Sequence, residues 1–238
     1  MNFRNAAKLS AAAALVAGAS VSGAAFAQDA ASGPTVSFNF GAATDYMFRG
    51  VSQTNEKAQA FAGVDLSYNM FYAGAWTSNV DFSNAGDTST SQEVDLYAGV
   101  KPTLGPINLD LGGIYYGYLD QPTGSPVDYW EFYGKASHAF GPLTVGAAAF
   151  WSPEFTGKTG DAWYFEGNAA YAVNDKLSFS GALGHQSIDL ASDYTTWNLG
   201  VSYMPVSNVT LDVRYHDTDI KGFDAAKGRV VASLKAAF

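Results

Sequence analysis

The chain contains no cysteine, and only 13 of its 238 residues are lysine or arginine. Without thiols there is no disulfide scaffold, no cysteine-ligated zinc and no thiol nucleophile. Against those 13 basic residues stand 22 acidic ones, and the net charge of −9 has the wrong sign for holding nucleic-acid phosphates. Charged residues make up just 15% of the chain, yet after residue 27 no apolar run reaches the roughly 18 residues that a membrane-spanning helix needs. What the chain has in quantity is aromatic side chains, 14 Tyr, 16 Phe and 5 Trp, together with 25 Gly. So many rings exclude a disordered protein, because they must pack against one another or against lipid.

Residues 1–27 read as a secretory signal peptide. Arg4 and Lys8 supply the positive start, Leu9 to Val21 the short apolar core, and Ala25-Phe26-Ala27 a cleavage site before Gln28. Cleavage leaves a single domain, 28–238, of 211 residues with a net charge of −11. Export without a later apolar helix predicts a periplasmic, secreted or outer-membrane protein, and a membrane role has to use strands.

Period-two alternation supports strands. From Arg229 to Phe238, Val230, Ala232, Leu234, Ala236 and Phe238 share one face, while Arg229, Ser233 and Lys235 share the other. Similar segments fall at Thr35–Phe48, Ala58–Tyr68, Met70–Asn79, Gln92–Lys101, Ile107–Tyr118, Asp128–Ala139, Leu143–Trp151, Asp161–Ala172, Leu177–His185, Tyr194–Tyr203 and Val209–Thr218. Longer polar loops follow the odd segments, at Arg49–Lys57, Val80–Ser91, Leu119–Val127, Ser152–Gly160, Gln186–Asp193 and Asp219–Gly228. Tight turns follow the even ones. A soluble sandwich has no reason to sort its connections in this way, whereas an outer-membrane barrel has long loops above and short turns below. The expected fold is therefore an all-β, up-and-down transmembrane barrel of about twelve antiparallel strands.

The two faces predict the surroundings. Outward aromatics are expected in an upper girdle of Tyr46, Phe48, Trp130, Trp151, Trp163 and Tyr215, and in a lower one of Tyr68, Phe71, Tyr171, Tyr203 and Phe238. The charged parity faces the lumen: Asp45, Arg49, Asp65, Glu93, Asp95, Lys101, Asp110, Glu131, Lys135, Glu166, Asp212, Arg214, Arg229 and Lys235. Phe61, Tyr97, Tyr116, Tyr118, Tyr133 and Tyr164 share that face, so any pore is narrow, and the acid excess suggests a mild cation preference. Cross-strand ion pairing explains the same charges without a water path, and both can hold together.

The stretch Gly41-Ala-Ala-Thr-Asp45-Tyr-Met-Phe-Arg-Gly-Val-Ser-Gln-Thr54, followed by Ala60–Tyr68 and Gly74-Ala-Trp76-Thr-Ser-Asn79, resembles the TorF-like porin family of proteobacteria. The match is specific over about the first 50 residues after the leader. The resemblance implies an outer-membrane barrel without naming a solute. Asp45 and Arg49, four residues apart on one face, predict an ion pair at the rim, with Gly50 turning the chain into the loop.

Other motifs point elsewhere. His185-Gln186-Ser187 resembles the H-x-S of outer-membrane phospholipases, with Asn198 as the orienting residue. Ile188-Asp189 replaces the Asn-Gly that follows their serine, and strand parity puts Asn198 on the opposite side of the wall from His185, so a non-enzymatic barrel is preferred to a lipid hydrolase. A barrel plugged by its own side chains is a third reading. His138 and His216 fall near opposite ends, Asp217 to Gly228 lacks the twelfth-position Glu of an EF-hand, and no metal or cofactor is expected. Asn208-Val209-Thr210 reads as turn chemistry. Expected partners are outer-membrane lipids, lipopolysaccharide at the acidic loops (Asp81, Asp87, Asp120, Glu154, Asp189, Asp193, Asp217 and Asp219), and the insertion machinery at the strand ending in Phe238. Outward aromatics suit lipid and neighbouring chains alike, which leaves an oligomer open.

Overall fold

A computed structural model describes residues 33–123 and 127–238, and the expected signal peptide lies outside them. Twelve long strands run β1 (Thr35–Ala43), β2 (Gln59–Tyr68), β3 (Phe71–Asn79), β4 (Gln92–Val100), β5 (Ile107–Leu119), β6 (Tyr129–Phe140), β7 (Leu143–Ser152), β8 (Ala162–Ala172), β9 (Leu177–Ile188), β10 (Tyr194–Val206), β11 (Val209–Thr218) and β12 (Arg229–Ala237). Each pairs antiparallel with the next, and β12 pairs with β1 from Asn39↔Ala237 to Ala43↔Ser233, so the sheet closes on itself. The seam is locked at the turn end, where Phe38 and Phe238 exchange two backbone hydrogen bonds of 2.9 Å and Phe238 stacks on Phe40. Closure removes both sheet edges, and with them the unpaired backbone that neither lipid nor a dry interior could satisfy.

The sequence alternation becomes an inside and an outside. Val36, Phe38 and Phe40 of β1, Leu199 and Tyr203 of β10, and Leu211, Val213 and Tyr215 of β11 are exposed on the outer wall. Their neighbours Asn39, Arg214 and Thr196 are buried within. Glycine has a steric role here. Tyr97, Tyr72 and Tyr133 lie over the glycines directly across the ladder, Gly74, Gly99 and Gly112, where a Cβ would come within 2.5 to 2.6 Å of a tyrosine ring or hydroxyl atom. Glycine on one strand thus makes room for a ring from the next, which accounts for their joint abundance.

Three strands end well away from where the alternation puts them: β9 runs on through Gln186 to Ile188, residues expected in the following loop, because they still pair with Ala162, Trp163 and Tyr164 of β8. β10 continues to Val206 through a register shift between Tyr203 and Val206, an irregularity that accommodates Pro205. β1 stops at Ala43 instead of running to Phe48. On one side its partner ends there, since Ala43 pairs with Gln59, the first residue of β2; on the other, Thr44 N donates to the Ala232 carbonyl at 2.9 Å before the chain leaves β12, which itself runs on to Arg229.

Candidate functional site

Where β1 ends, the chain turns into the barrel. Residues 44–58, here loop 1, fold inward around a two-residue hairpin in which Met47 pairs with Ser52 and Phe48 with Val51. Its tip, Arg49 and Gly50, has φ of 47° and 82°, the left-handed pair of a type I′ turn. The left-handed region costs Arg49 about 1 kcal/mol or more, and the packing around it must hold it there. The base is fixed by Asp45, whose Oδ1 accepts from the Ser52 hydroxyl at 2.6 Å and whose Oδ2 accepts from Arg229 of β12 at 2.9 Å.

Loop 1 crosses the lumen and meets ten strands in turn. Tyr46 lays its ring against Trp76 of β3 and donates to Glu93 Oε1 of β4 at 2.9 Å. Phe48 packs edge-on against Tyr116 of β5. Arg49 donates from Nη2 to Glu131 of β6 at 2.8 Å and from Nη1 to Gln186 of β9 at 2.7 Å. Its guanidinium carbon lies 5.0 Å from the ring centre of Phe150 on β7 and 4.3 Å from that of Tyr164 on β8. Gly50 reaches the far wall, where an added Cβ would lie 2.3 Å from Thr196 Oγ1 of β10 and 2.5 Å from Thr218 Cγ2 of β11. Asp45 completes the circuit on β12. The loop half of the lumen is thereby filled, with Tyr46, Arg49 and Thr54 at most 4% exposed.

Tyr46 and Phe48 therefore do not belong to the outer girdle in which the alternation puts them; with β1 ended at Ala43 they ride on loop 1 and face inward. Nor do Asp45 and Arg49 pair with each other. Each is bonded to a different wall, Asp45 to Arg229 and Arg49 to Glu131, because the hairpin separates them across the lumen. Of the other girdle candidates, Trp130, Trp163 and Tyr215 lie on the outer wall toward the loop end, with Trp151 packed between Phe132 and Trp163. Tyr68, Phe71, Tyr171, Tyr203 and Phe238 are exposed at the turn end.

The charged residues sort by height. Glu93, Asp95, Glu131 and Arg229 join Asp45 and Arg49 in the loop half, giving four acids and two bases. Below lies a polar network. There Asp65 accepts from Tyr97 at 2.6 Å, Asp110 from Tyr72 at 2.5 Å with Tyr133 donating to Tyr72, and Glu166 from Tyr164 and Asn168. Arg214 spans three strands, donating to Asp212 of its own β11, Asn198 of β10 and Ser180 of β9. Lys101 lies over the Tyr72 ring and Lys135 over that of Tyr133. Lys235 faces inward on β12, register partner of Gly41. At the rim, a cavity of about 460 Å³ opens between loop 1 and the loop 219–228, lined by Asp45, Glu56, Asp224, Lys227 and Arg229.

Comparison with known proteins was decided by a family model that matches residues 27–238, described as a bacterial protein of unknown function, Gcw_chp. The chain belongs to the Gcw_chp family. No curated protein matches its sequence. Among solved structures the Gcw_chp barrel is similar to the KdgM porin, with a TM-score of 0.61 at 12% identity over 85% of this chain and 99% of that one. It is similar also to the KdgM porin in complex with disordered oligogalacturonate, with a TM-score of 0.62 at 12% identity over 85% and 99%. The NanC porin gives a TM-score of 0.53 at 12% identity over 85% and 98%. At such identities the likeness is one of fold.

Several residues that shape this Gcw_chp lumen were missed by the sequence reading. Gln186, Phe150, Tyr72 and Tyr129 are buried on the inner face of strands whose parity was already set, so counting every inward residue, charged or not, finds them. Gln186 was read as the middle of a phospholipase-like tripeptide. Its neighbour His185 instead lies exposed on the outer wall, while Asn198 is bonded to Arg214 within. His138 is bonded to the Pro106 carbonyl near the turn end, and His216 lies across the barrel on β11 near the loop end.

Proposed function

We propose that this protein is an outer-membrane, porin-like channel for passive diffusion of small hydrophilic solutes or ions, narrowed by its own first loop. The observation that carries the reading is a closed twelve-stranded wall that is apolar and aromatic outside, and charged and polar inside. Strands of nine to thirteen residues suit a tilted crossing of a bilayer, and the two levels of exposed aromatics suit its headgroup regions. The TorF-like first hairpin and the porin names of the similar barrels support the same reading. Outer-membrane lipids, lipopolysaccharide at the acidic loops, and the insertion machinery at Phe238 are the partners this placement implies.

An enzymatic role fits poorly. A serine nucleophile needs its histidine and orienting amide on one side, and the wall separates Asn198 from His185 and Ser187. The more serious rival is a permanently plugged structural barrel, favoured by the filling of the loop half. Planar-bilayer recording of the purified, refolded protein distinguishes the two. Discrete conductance steps support the channel, and silence across voltage and salt, in the wild type and in variants with loop 1 unseated, establishes the plugged barrel instead.

A further inference from the structure

The surroundings of Arg49 have the composition of a ligand site rather than of an ordinary loop anchor. A fully buried guanidinium is held by one carboxylate, Glu131, and one amide, Gln186, along its edge, with the rings of Phe150 and Tyr164 packed about it at 5.0 and 4.3 Å. All four groups belong to the wall, on β6 to β9, and their spacing is set by ladder register, not by loop 1. Arginine occupies this cage imperfectly. Its Nε is buried without a hydrogen-bond partner, and its backbone is held in the left-handed region.

We propose that this cage is a binding site for small organic cations of the guanidinium class, and that loop 1 closes the lumen by placing its own guanidinium there. The inference rests on the channel reading for its consequence, solute selection, but not for the site itself. Electrostatics favour a cation once Arg49 leaves. Glu131 then loses its ion pair and keeps only the Tyr116 hydroxyl at 3.1 Å, with Glu93, Asp95 and Glu166 still on the inner face; Arg229 is bound to Asp45 and Glu56, and Lys135, 5.3 Å from the Phe150 ring, is one cation against three acids. Shape favours guanidinium over ammonium, since a planar fork can meet two acceptors at one edge while offering its faces to rings, and a compact ammonium cannot. A free guanidinium is also not bound by the backbone strain of loop 1. Arg49 thus acts as an intramolecular competitor of the solute.

The test uses refolded full-length Arg49→Ala and methylguanidinium as probe, with binding read by calorimetry in detergent and conductance read in planar bilayers. Methylguanidinium is expected to bind Arg49→Ala at least about tenfold more tightly than it binds the wild type, and about tenfold more tightly than methylammonium binds the variant, a ratio that one charge-assisted hydrogen bond supplies. Adding Glu131→Gln is expected to remove at least tenfold of that affinity. Equal binding to wild type and variant, or no preference over methylammonium, overturns the proposal. Binding without current from any variant supports the cage and removes the channel reading; current without binding does the reverse. If Arg49→Ala does not fold alone, recovery of folded barrel when methylguanidinium is added during refolding supports the cage, and no recovery counts against it.

Discussion

Valine at position 50 addresses loop 1 as the constriction, because it acts on the tip and leaves the wall ladder intact. Gly50 has φ of 82°, where a β-branched residue is strained by about 1–2 kcal/mol. Its new Cβ would also lie 2.3 Å from Thr196 Oγ1 and 2.5 Å from Thr218 Cγ2, an overlap worth about 1–3 kcal/mol when the neighbours are held by a sheet. Together the seated loop loses about 2–5 kcal/mol, which shifts seated against unseated populations by roughly thirtyfold to several thousandfold. None of the twelve strands includes residue 50, so the barrel is expected to fold as before. Gly50→Val should therefore raise single-channel conductance or open time while keeping the heat-modifiable migration of a folded barrel. Gly86→Ala is the control: with φ of 90° in the loop 80–91 and nothing within 4 Å of its added Cβ, it imposes strain without collision and should conduct like the wild type. Wild-type currents from a folded Gly50→Val barrel refute loop 1 as the constriction.

Other perturbations follow from the same contacts. Asp45→Asn removes the charge from a partly buried ion pair with Arg229, which keeps Glu56, a loss of about 1.5–3 kcal/mol at the base of loop 1, and should open Arg49 to trypsin in the folded barrel; continued resistance means that the base does not hold the loop. Deleting Phe238 removes two seam hydrogen bonds and a ring stack, about 1.5–4.5 kcal/mol in all, and should lower the denaturant midpoint and the yield of inserted protein. Between loop 1 and the loop 80–91, Lys57 Nζ lies 2.7 Å from Asp81, and this bond, with those from Ser83, depresses the Asp81 carboxyl from 3.8 to about 2. A depressed carboxylate stabilises the fold above its unfolded value, so the Lys57–Asp81 clasp should be complete above pH 4 and be lost as pH falls from about 4 to 2. Carboxyl NMR should show the low midpoint, and Lys57→Met should move it back toward 3.8; an unmoved midpoint refutes the clasp.

The wall was legible because its signal is local. In β11, Leu211, Val213 and Tyr215 alternate with Asp212, Arg214 and His216, and the observed limits, Val209–Thr218, are those expected. Loop 1 was misread for the same reason. The alternation continues through Asp45, Met47 and Arg49 against Tyr46 and Phe48, and nothing local reports that β2 has already ended and that the chain leaves β12 after Thr44. Three consecutive apolar residues, Tyr46-Met47-Phe48, before a left-handed Arg-Gly pair were the available hint that this loop avoids water. The ion pairs lay beyond such reading, since Asp45 and Arg229 are 184 residues apart and meet only through closure of the sheet.

The partners of loop 1 also set an order on assembly. Gln186 lies 137 residues after Arg49, and Arg229 comes later still. The seat for the hairpin therefore does not exist until nearly the whole chain has curled and the seam has met. Loop 1 emerges early yet must dock last, across contacts among the most distant in sequence, the kind that form slowly because chain closure precedes any gain from them. The full set of contacts that hold the hairpin therefore comes no earlier than closure of the seam, so a variant that weakens the seam is also one that loosens loop 1.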